Sequence, residues 1–212
     1  MDAYGRIAIP YLYFIEPLVK LIKDEVVVIS KKYNFQKILD LCCGLGMQCE
    51  MLNVYGFNVT GVDSSKAMVT LAKRISNGRI PYYEEDAGST HFEDQTFDCI
   101  VISFALHEKN NIKREEILKE ARRLTRHDGK VIVVDYLVPN YGYSKDDSEF
   151  WARAIKKGIN IIERLAGEEH YKNYKDWLRR GALSILEESG FLIVERKQFY
   201  FGTIQLVLVE PL

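Results

Sequence analysis

Four short stretches of this chain carry side chains able to do chemistry, and each follows an apolar run. The first, ILDLCCGLGMQCE at 38–50, sets Asp40, Cys42, Gly44 and Gly46 in the pattern D-x-C-x-G-x-G. Glycines in such a place let the backbone turn tightly and approach a ligand that a Cβ would keep away, and a helix starting there offers its first N–H groups to an anionic moiety. Asp63 ends the run FNVTGVD, 17 residues beyond Gly46, with Ser64 beside it. A carboxylate there can accept both hydroxyls of a ribose, as the acid about 20 residues beyond a dinucleotide glycine motif does. Its alternative use is to cap the next helix, for which Ser64 competes. Asp86 and Ala87 follow at the end of IPYYEED, where an acid can accept from the exocyclic amine of an adenine or stay solvated beside Glu84 and Glu85. Last, ISFALHE supplies Ser103, Phe104 and His107. His107 suits a general base for an acceptor whose hydroxyl or acidic carbon must lose a proton, or else caps or lines a pocket.

The cysteines at 42, 43, 49 and 99 form neither a disulfide framework nor a zinc site. Adjacent cysteines bridge poorly, a core of this size needs no staples, and the paired C-x2-C spacing of zinc ligands is missing. No metal ligand set is read from the sequence. His91, His127 and His170 stand in polar surroundings and read as surface residues.

To bring the four stretches together the chain must alternate strands and helices. Strand-like runs are expected at 37–43, 57–63, 80–86, 97–106 and 130–139. Between them lie a helix from Met47 stopped by Gly56, one over SSKAMVTLAKRISNG with Met68, Leu71, Ala72 and Ile75 inward, and one over 113–129 with Ile117, Leu118, Ala121 and Leu124 inward. Before them, Pro17 opens an amphipathic helix with Leu18, Ile22, Val26 and Ile29 on one face. After them come helices over 148–166 and 173–189, then two runs around Gly202 too close for a crossover and therefore an antiparallel hairpin. The expected fold is α/β: a doubly wound, mostly parallel seven-stranded sheet with helices on both faces and a C-terminal antiparallel hairpin. The chain reads as a single domain, 1–212, made of an N-terminal helical cap (1–34), a ligand-binding core (35–140), a helical insertion (141–190) and the terminal hairpin (191–212). Ligands of such sheets bind outside the carboxyl ends of the strands at the switch point, where all four stretches fall.

Composition bounds the rest. With 212 residues, 47% hydrophobic, 28% charged and a formal charge of -1, the chain lacks the basic excess of a nucleic-acid binder. The cluster Arg122, Arg123, Arg126 and His127 is interleaved with Glu115, Glu116 and Glu120 and reads as a solvated helix face. The N-terminal stretch has no basic n-region with an uninterrupted apolar run, and no segment is long enough to span a membrane, so a cytoplasmic location is expected. Oligomeric state leaves no mark in the pattern.

The glycine stretch and the three acids resemble the class I S-adenosylmethionine-dependent methyltransferases over roughly residues 35–140. Their first motif, D/E-x-G-x-G-x-G, is matched at Asp40, Gly44 and Gly46, with Cys42 where the family usually has its first glycine. The resemblance implies S-adenosylmethionine as cofactor, Asp63 on its ribose, Asp86 at the adenine edge with Ala87 against the ring, and Asp40 near the amino group of the methionine moiety. It also implies a terminal hairpin, which dinucleotide-binding folds as a rule lack. Before the core, YGRIAIPYLYFIEPL is similar to the segment preceding the first strand in the quinone-biosynthesis C-methyltransferases, matching at Tyr4, Arg6, Ile7, Ala8 and Tyr11, with Leu12 where they carry an aspartate.

The function so implied is methyl transfer from S-adenosylmethionine to a small, apolar or aromatic acceptor. Something must cover the methyl group, and the aromatic-rich segments outside the core are the candidates. Tyr11 and Phe14 in the N-terminal segment are expected to touch substrate, with Tyr143, Phe150, Trp151, Tyr171, Tyr174 and Trp177 contributed by the insertion. Two rival readings are a donor-binding protein without catalysis and an NAD-dependent oxidoreductase. Cys49 stands where the third glycine of the latter's motif would be.

Overall fold

A computed structural model describes residues 16–137 and 148–212; Tyr11, Phe14 and Tyr143 lie outside them. The elements in chain order are α1 (Glu16–Lys32), β1 (Lys37–Leu41), α2 (Met47–Val54), β2 (Asn58–Asp63), α3 (Lys66–Ile75), β3 (Tyr82–Glu84) and β4 (Phe97–Ser103). A 3-10 turn (Leu106–Glu108) then leads to α4 (Asn111–Leu124), β5 (Thr125–Tyr136), α5 (Ser148–Leu165), α6 (Glu168–Arg180), α7 (Ala182–Glu188), β6 (Phe191–Phe199) and β7 (Ile204–Pro211). The seven strands form one sheet in the order β3-β2-β1-β4-β5-β7-β6. Strands β1 to β5 pair in parallel, whereas β7 runs antiparallel to both β5 and β6. The order reverses between β1 and β4, so the switch point lies where the glycine stretch and ISFALHE end.

Alternation along the strands builds two apolar layers. Leu39, Leu41, Ile100, Ile102, Val131 and Val133 face α4, α6 and α7 through Ile117, Leu118, Leu124, Trp177 and Ile185. Their neighbours Ile38, Cys99, Val101, Ile132 and Val134 face α1, α2 and α3 through Ile22, Val26, Ile29, Leu52, Val69 and Ala72. Strands buried on both faces are continuous apolar runs, which is why FDCIVIS and KVIVV are so legible.

Three boundaries differ from the periodicity reading. The helix expected over 113–129 ends at Leu124, and β5 starts at Thr125, passing through Asp128-Gly129 where a helix stop was expected. Pairing decides this: Phe97 lies opposite Thr125 and Cys99 opposite Lys130, so the polar residues between them form a bulge. The helix expected over 173–189 is two helices broken at Gly181, whose φ of 80 leaves the right-handed region. The third strand shrinks to Tyr82–Glu84.

Arg114 pins the helices that follow β4. Only 1% exposed, it donates from Nε to the Leu106 carbonyl at 2.8 Å, from Nη1 to Asp176 at 2.9 Å and from Nη2 to the Asn173 carbonyl at 2.6 Å. Its guanidinium lies over the Trp177 ring, 5.4 Å from the centroid. One side chain of α4 thus ties the 3-10 turn to α6.

Candidate active site

The turn after β1 alternates left-handed residues: Cys42, Gly44 and Gly46 have φ of 63, 53 and 71. The N–H groups of this turn are bonded within the protein, that of Gly44 to Asp63 at 2.8 Å and that of Gly46 to the Cys43 carbonyl at 2.9 Å. Cys42 therefore occupies the place of the usual glycine in a conformation that glycine prefers, with a strain of roughly 1–2 kcal/mol for a residue with a side chain. The turn is fixed to β2 by the Cys43 N–H, which donates to the Val62 carbonyl at 2.9 Å. From the end of β2, Asp63 accepts the Gly44 N–H on Oδ2 and the Ser65 N–H on Oδ1, both at 2.8 Å. Burial raises its pKa above the ordinary carboxylate value against the pull of those two bonds. The cap of α3 is Ser65, accepting from the Met68 N–H at 3.2 Å, so Asp63 is free of that duty and Ser64 is exposed beside it.

The two glycines need their missing side chains for different reasons. A Cβ on Gly46 would fall 2.3 Å from the Tyr82 hydroxyl and 2.7 Å from its ring, and Tyr82, 2% exposed, has nowhere to go. Tyr82 lies under the turn and donates to the Gly46 carbonyl at 3.3 Å, a buried support that no motif singles out. A Cβ on Gly44 would meet nothing within 4 Å. Open space above a glycine backbone, bordered by a carboxylate with one lone pair left on each oxygen, fits the ribose end of a nucleoside. Gly44→Ala is accordingly expected to lower stability by only about 1 kcal/mol, for a left-handed residue with a Cβ, yet to weaken donor binding. Calorimetry on the folded variant checks this, and undiminished affinity would contradict it.

The other expected donor residues are placed unequally. Asp40 is 2% exposed and accepts from the Cys49 thiol at 3.3 Å, with burial raising its pKa to about 7. Ser103 ends β4 half-buried. Phe104 follows at φ 53, its N–H donating to the Val134 carbonyl at 2.8 Å and its ring 5.7 Å from that of Tyr136. Ala87 is buried in the apolar layer shared with Val62 and Leu41. Asp86 is exposed and engaged: Lys113 donates to Oδ2 at 2.5 Å and the Gly88 N–H to Oδ1 at 2.8 Å. An adenine amine at Asp86 would have to share it with Lys113, a partner absent from the sequence reading.

His107 differs most from expectation. It is 4% exposed, its Nδ1 is 2.7 Å from Asp135 Oδ1, and its Nε2 is 3.3 Å from Glu163 Oε2. Burial favours the neutral ring, but the two carboxylates outweigh it and raise the pKa, while His107 and His170 hold Glu163 below the usual range against its own burial. With both nitrogens engaged, His107 has no lone pair directed at an acceptor, which sets it apart from the free base expected after β4. His170, expected on the surface, lies 2.5 Å from Glu163 through Nε2. Asp135, Tyr136 and Glu163, which no motif signalled, complete this surrounding together with Tyr174, one of the aromatic residues expected from the insertion. The rings of His107 and Tyr136 are 4.6 Å apart, and those of Tyr136 and Tyr174 5.5 Å.

A doubly wound, mostly parallel sheet with an antiparallel terminal hairpin is a Rossmann-like fold. Residues 38–129 match the family model described as a methyltransferase domain. The chain is 25% identical over 177 residues to a demethylmenaquinone methyltransferase of Clavibacter sepedonicus, covering 81% of this chain and 71% of that one. It is also 25% identical over 189 residues to a ubiquinone/menaquinone biosynthesis C-methyltransferase of Campylobacter jejuni, covering 83% and 79%. Among such relatives the matched stretch spans from 50% to 79% of their length. In structure it resembles a protein of Pyrococcus horikoshii, with a TM-score of 0.74 at 20% identity over 100% of this chain and 99% of that one. The methyltransferase-domain match over 38–129, these relatives and the shared fold together support a class I S-adenosylmethionine-dependent methyltransferase, a family whose cofactor is S-adenosylmethionine. Among the described residues no helix is long and apolar enough to cross a membrane.

Proposed function

We propose that this protein methylates a small apolar or aromatic acceptor of the quinol class, held where β4 and β5 end. The observation that carries this reading is the aromatic row at the strand ends: the Tyr136 ring lies 5.7 Å from that of Phe104 and 5.5 Å from that of Tyr174, which α6 contributes. Trp177 of α6 donates from its indole N–H to the Tyr136 carbonyl at 3.0 Å, so the insertion is anchored at the strand ends. On the neighbouring α5, Phe150, Trp151, Ile161, Ile162 and Leu165 are exposed, an apolar approach suited to a hydrophobic acceptor. The relatives named for menaquinone and ubiquinone synthesis support the same class.

The cofactor supplies an electrophilic methyl group; the chain's own residues bind, align and exclude water. Asp63 and the Gly44 backbone hold the ribose end, Asp40 faces the ammonium of the methionine part, and Ser103 and Phe104 border the line along which the acceptor approaches. Most of the acceleration comes from holding that line and keeping the cleft dry. Asp86 with Lys113, Ser64 and Ala87 frame the base.

Asp40 gives this reading a pH signature. With its pKa at about 7 in the free protein, binding an ammonium beside it requires the ionised form, so binding releases a proton. Affinity for S-adenosylmethionine is expected to rise from about pH 6 as Asp40 ionises and to fall again above about pH 8 as the ligand's own ammonium loses its proton. Calorimetry in buffers of differing ionisation enthalpy measures the released proton directly; flat affinity with no proton release would remove Asp40 from the amino group.

The acceptor class is tested by titrating a naphthoquinol into the protein saturated with S-adenosylhomocysteine. Saturable binding is expected, weakened up to about tenfold in Phe104→Ala, on the scale of one aromatic contact, with S-adenosylhomocysteine affinity kept. Binding of RNA or a peptide in place of any apolar aromatic compound would overturn it.

A further inference from the structure

We propose that His107, Glu163 and His170 form a binding site for one divalent transition-metal ion of the zinc class, clasping α5 and α6 to the strand ends. Three elements deliver the ligands: His107 from the 3-10 turn, Glu163 from the last turn of α5 and His170 from the first turn of α6. Their ligand atoms all lie within 4.8 Å of one another, and His107 and Glu163 are buried.

The geometry around the two imidazoles is that of metal ligands. Both turn Nε2 toward Glu163 Oε2, at 3.3 Å for His107 and 2.5 Å for His170. Both turn Nδ1 toward another carboxylate: His107 to Asp135 at 2.7 Å and His170 to Glu108 at 3.7 Å. A ligating histidine typically donates its other ring N–H to a carboxylate, which fixes the tautomer and sharpens the ligand nitrogen. Asp135 is itself held, accepting the backbone N–H of His107 at 3.1 Å and of Tyr136 at 2.8 Å. Zinc–ligand distances of about 2.0–2.1 Å place tetrahedral ligand atoms roughly 3.3 Å apart. The His107–Glu163 separation already matches; the 2.5 Å between His170 and Glu163 opens by under about 1 Å on that geometry, while the three ligand atoms, now within 4.8 Å, draw in around the ion.

Charge points the same way. Lys109 offsets Glu108, to which it is ion-paired. That leaves the buried carboxylates of Asp135 and Glu163 facing two imidazoles. Buried carboxylates need compensation, which one dication or two protons can supply. On binding, the ion takes the Nε2 lone pairs and one Glu163 oxygen, and the protons those atoms held pass to solvent. Two histidines and a glutamate are a ligand set used for zinc with a fourth position left open.

The test adds cobalt(II), and separately zinc(II), to the full-length protein after treatment with a chelator, followed by visible absorption and calorimetry. One equivalent is expected to bind, with the spectrum of nitrogen and oxygen ligands and no thiolate-to-cobalt band. His170→Ala, a partly exposed helix position, should weaken binding by at least about tenfold, and Glu163→Gln should do the same while preserving shape. Cys49→Ser should leave it unchanged. Absence of saturable binding to the wild type, a thiolate band, or affinity untouched in both His170→Ala and Glu163→Gln would each overturn the site. None of these results bears on affinity for S-adenosylmethionine, measured in the same samples, so a failure here is distinguishable from a failure of the donor site.

Discussion

Replacing Asp63 with alanine is expected to weaken S-adenosylmethionine binding by about ten- to a hundredfold while the protein stays folded. Hydrogen bonds to a charged group are worth about 1.5–3 kcal/mol, and each 1.4 kcal/mol is roughly a factor of ten in affinity. Two consequences of losing this side chain add in one direction. The ribose hydroxyls lose their acceptor, and the Gly44 and Ser65 N–H groups, each bonded to Asp63 at 2.8 Å, lose the group that sets the turn beside the ligand. Asp63→Asn separates the two, because its remaining carbonyl oxygen can keep one backbone bond and one hydroxyl; its loss should be smaller. Unchanged affinity in Asp63→Ala, with only the melting temperature reduced, would make Asp63 a structural tie and nothing more.

The second large effect falls on stability. Arg114→Ala is expected to cost about 3 kcal/mol, the lower end of the range for breaking a buried charge pair, because Asp176 is 22% exposed on its side chain. In a chain of this size that lowers the melting temperature by roughly 6–12 °C. The carbonyls of Leu106 and Asn173 lose their donor, and the cavity over Trp177 adds to the loss. Arg114→Met restores much of the volume without the charge, so a recovery there would assign the loss to packing, and none would assign it to the polar network. A change under about 1 kcal/mol, the level of an exposed pair, would show that Arg114 does not hold the 3-10 turn and α6 together.

The sheet was legible in the sequence because its central strands are buried on both faces. Runs such as FDCIVIS admit no other use, and the short gap around Gly202 leaves only a hairpin. What escaped were features decided by partners distant in the chain. Thr125 to Gly129 reads as the polar end of a helix, yet the edge of β4 pairs with it and draws it into a bulged strand. Gly181 breaks a helix that looks continuous by periodicity alone.

The site divides in the same way. The glycine turn and Asp63 are a local pattern with a fixed spacing, so their meeting could be foreseen. The open face of Gly44 and the blocked face of Gly46 could not, since the difference is made by Tyr82 from another strand. Glu163 sits in IIERL and His170 in EEHYK, both indistinguishable from solvated helix positions until α5 and α6 turn them toward His107. Long-range convergence of single polar residues carries no periodicity and no motif.

The most direct measurement of the central claim is turnover: the protein incubated with S-adenosylmethionine and a demethylated naphthoquinol, with both products quantified by mass spectrometry. The account predicts one methylated quinol formed for each S-adenosylhomocysteine, a rate lost in Asp63→Ala at sub-saturating donor, and no S-adenosylhomocysteine without acceptor. S-adenosylmethionine bound but left unconsumed across apolar aromatic acceptors, or S-adenosylhomocysteine produced only with RNA or protein, would contradict it.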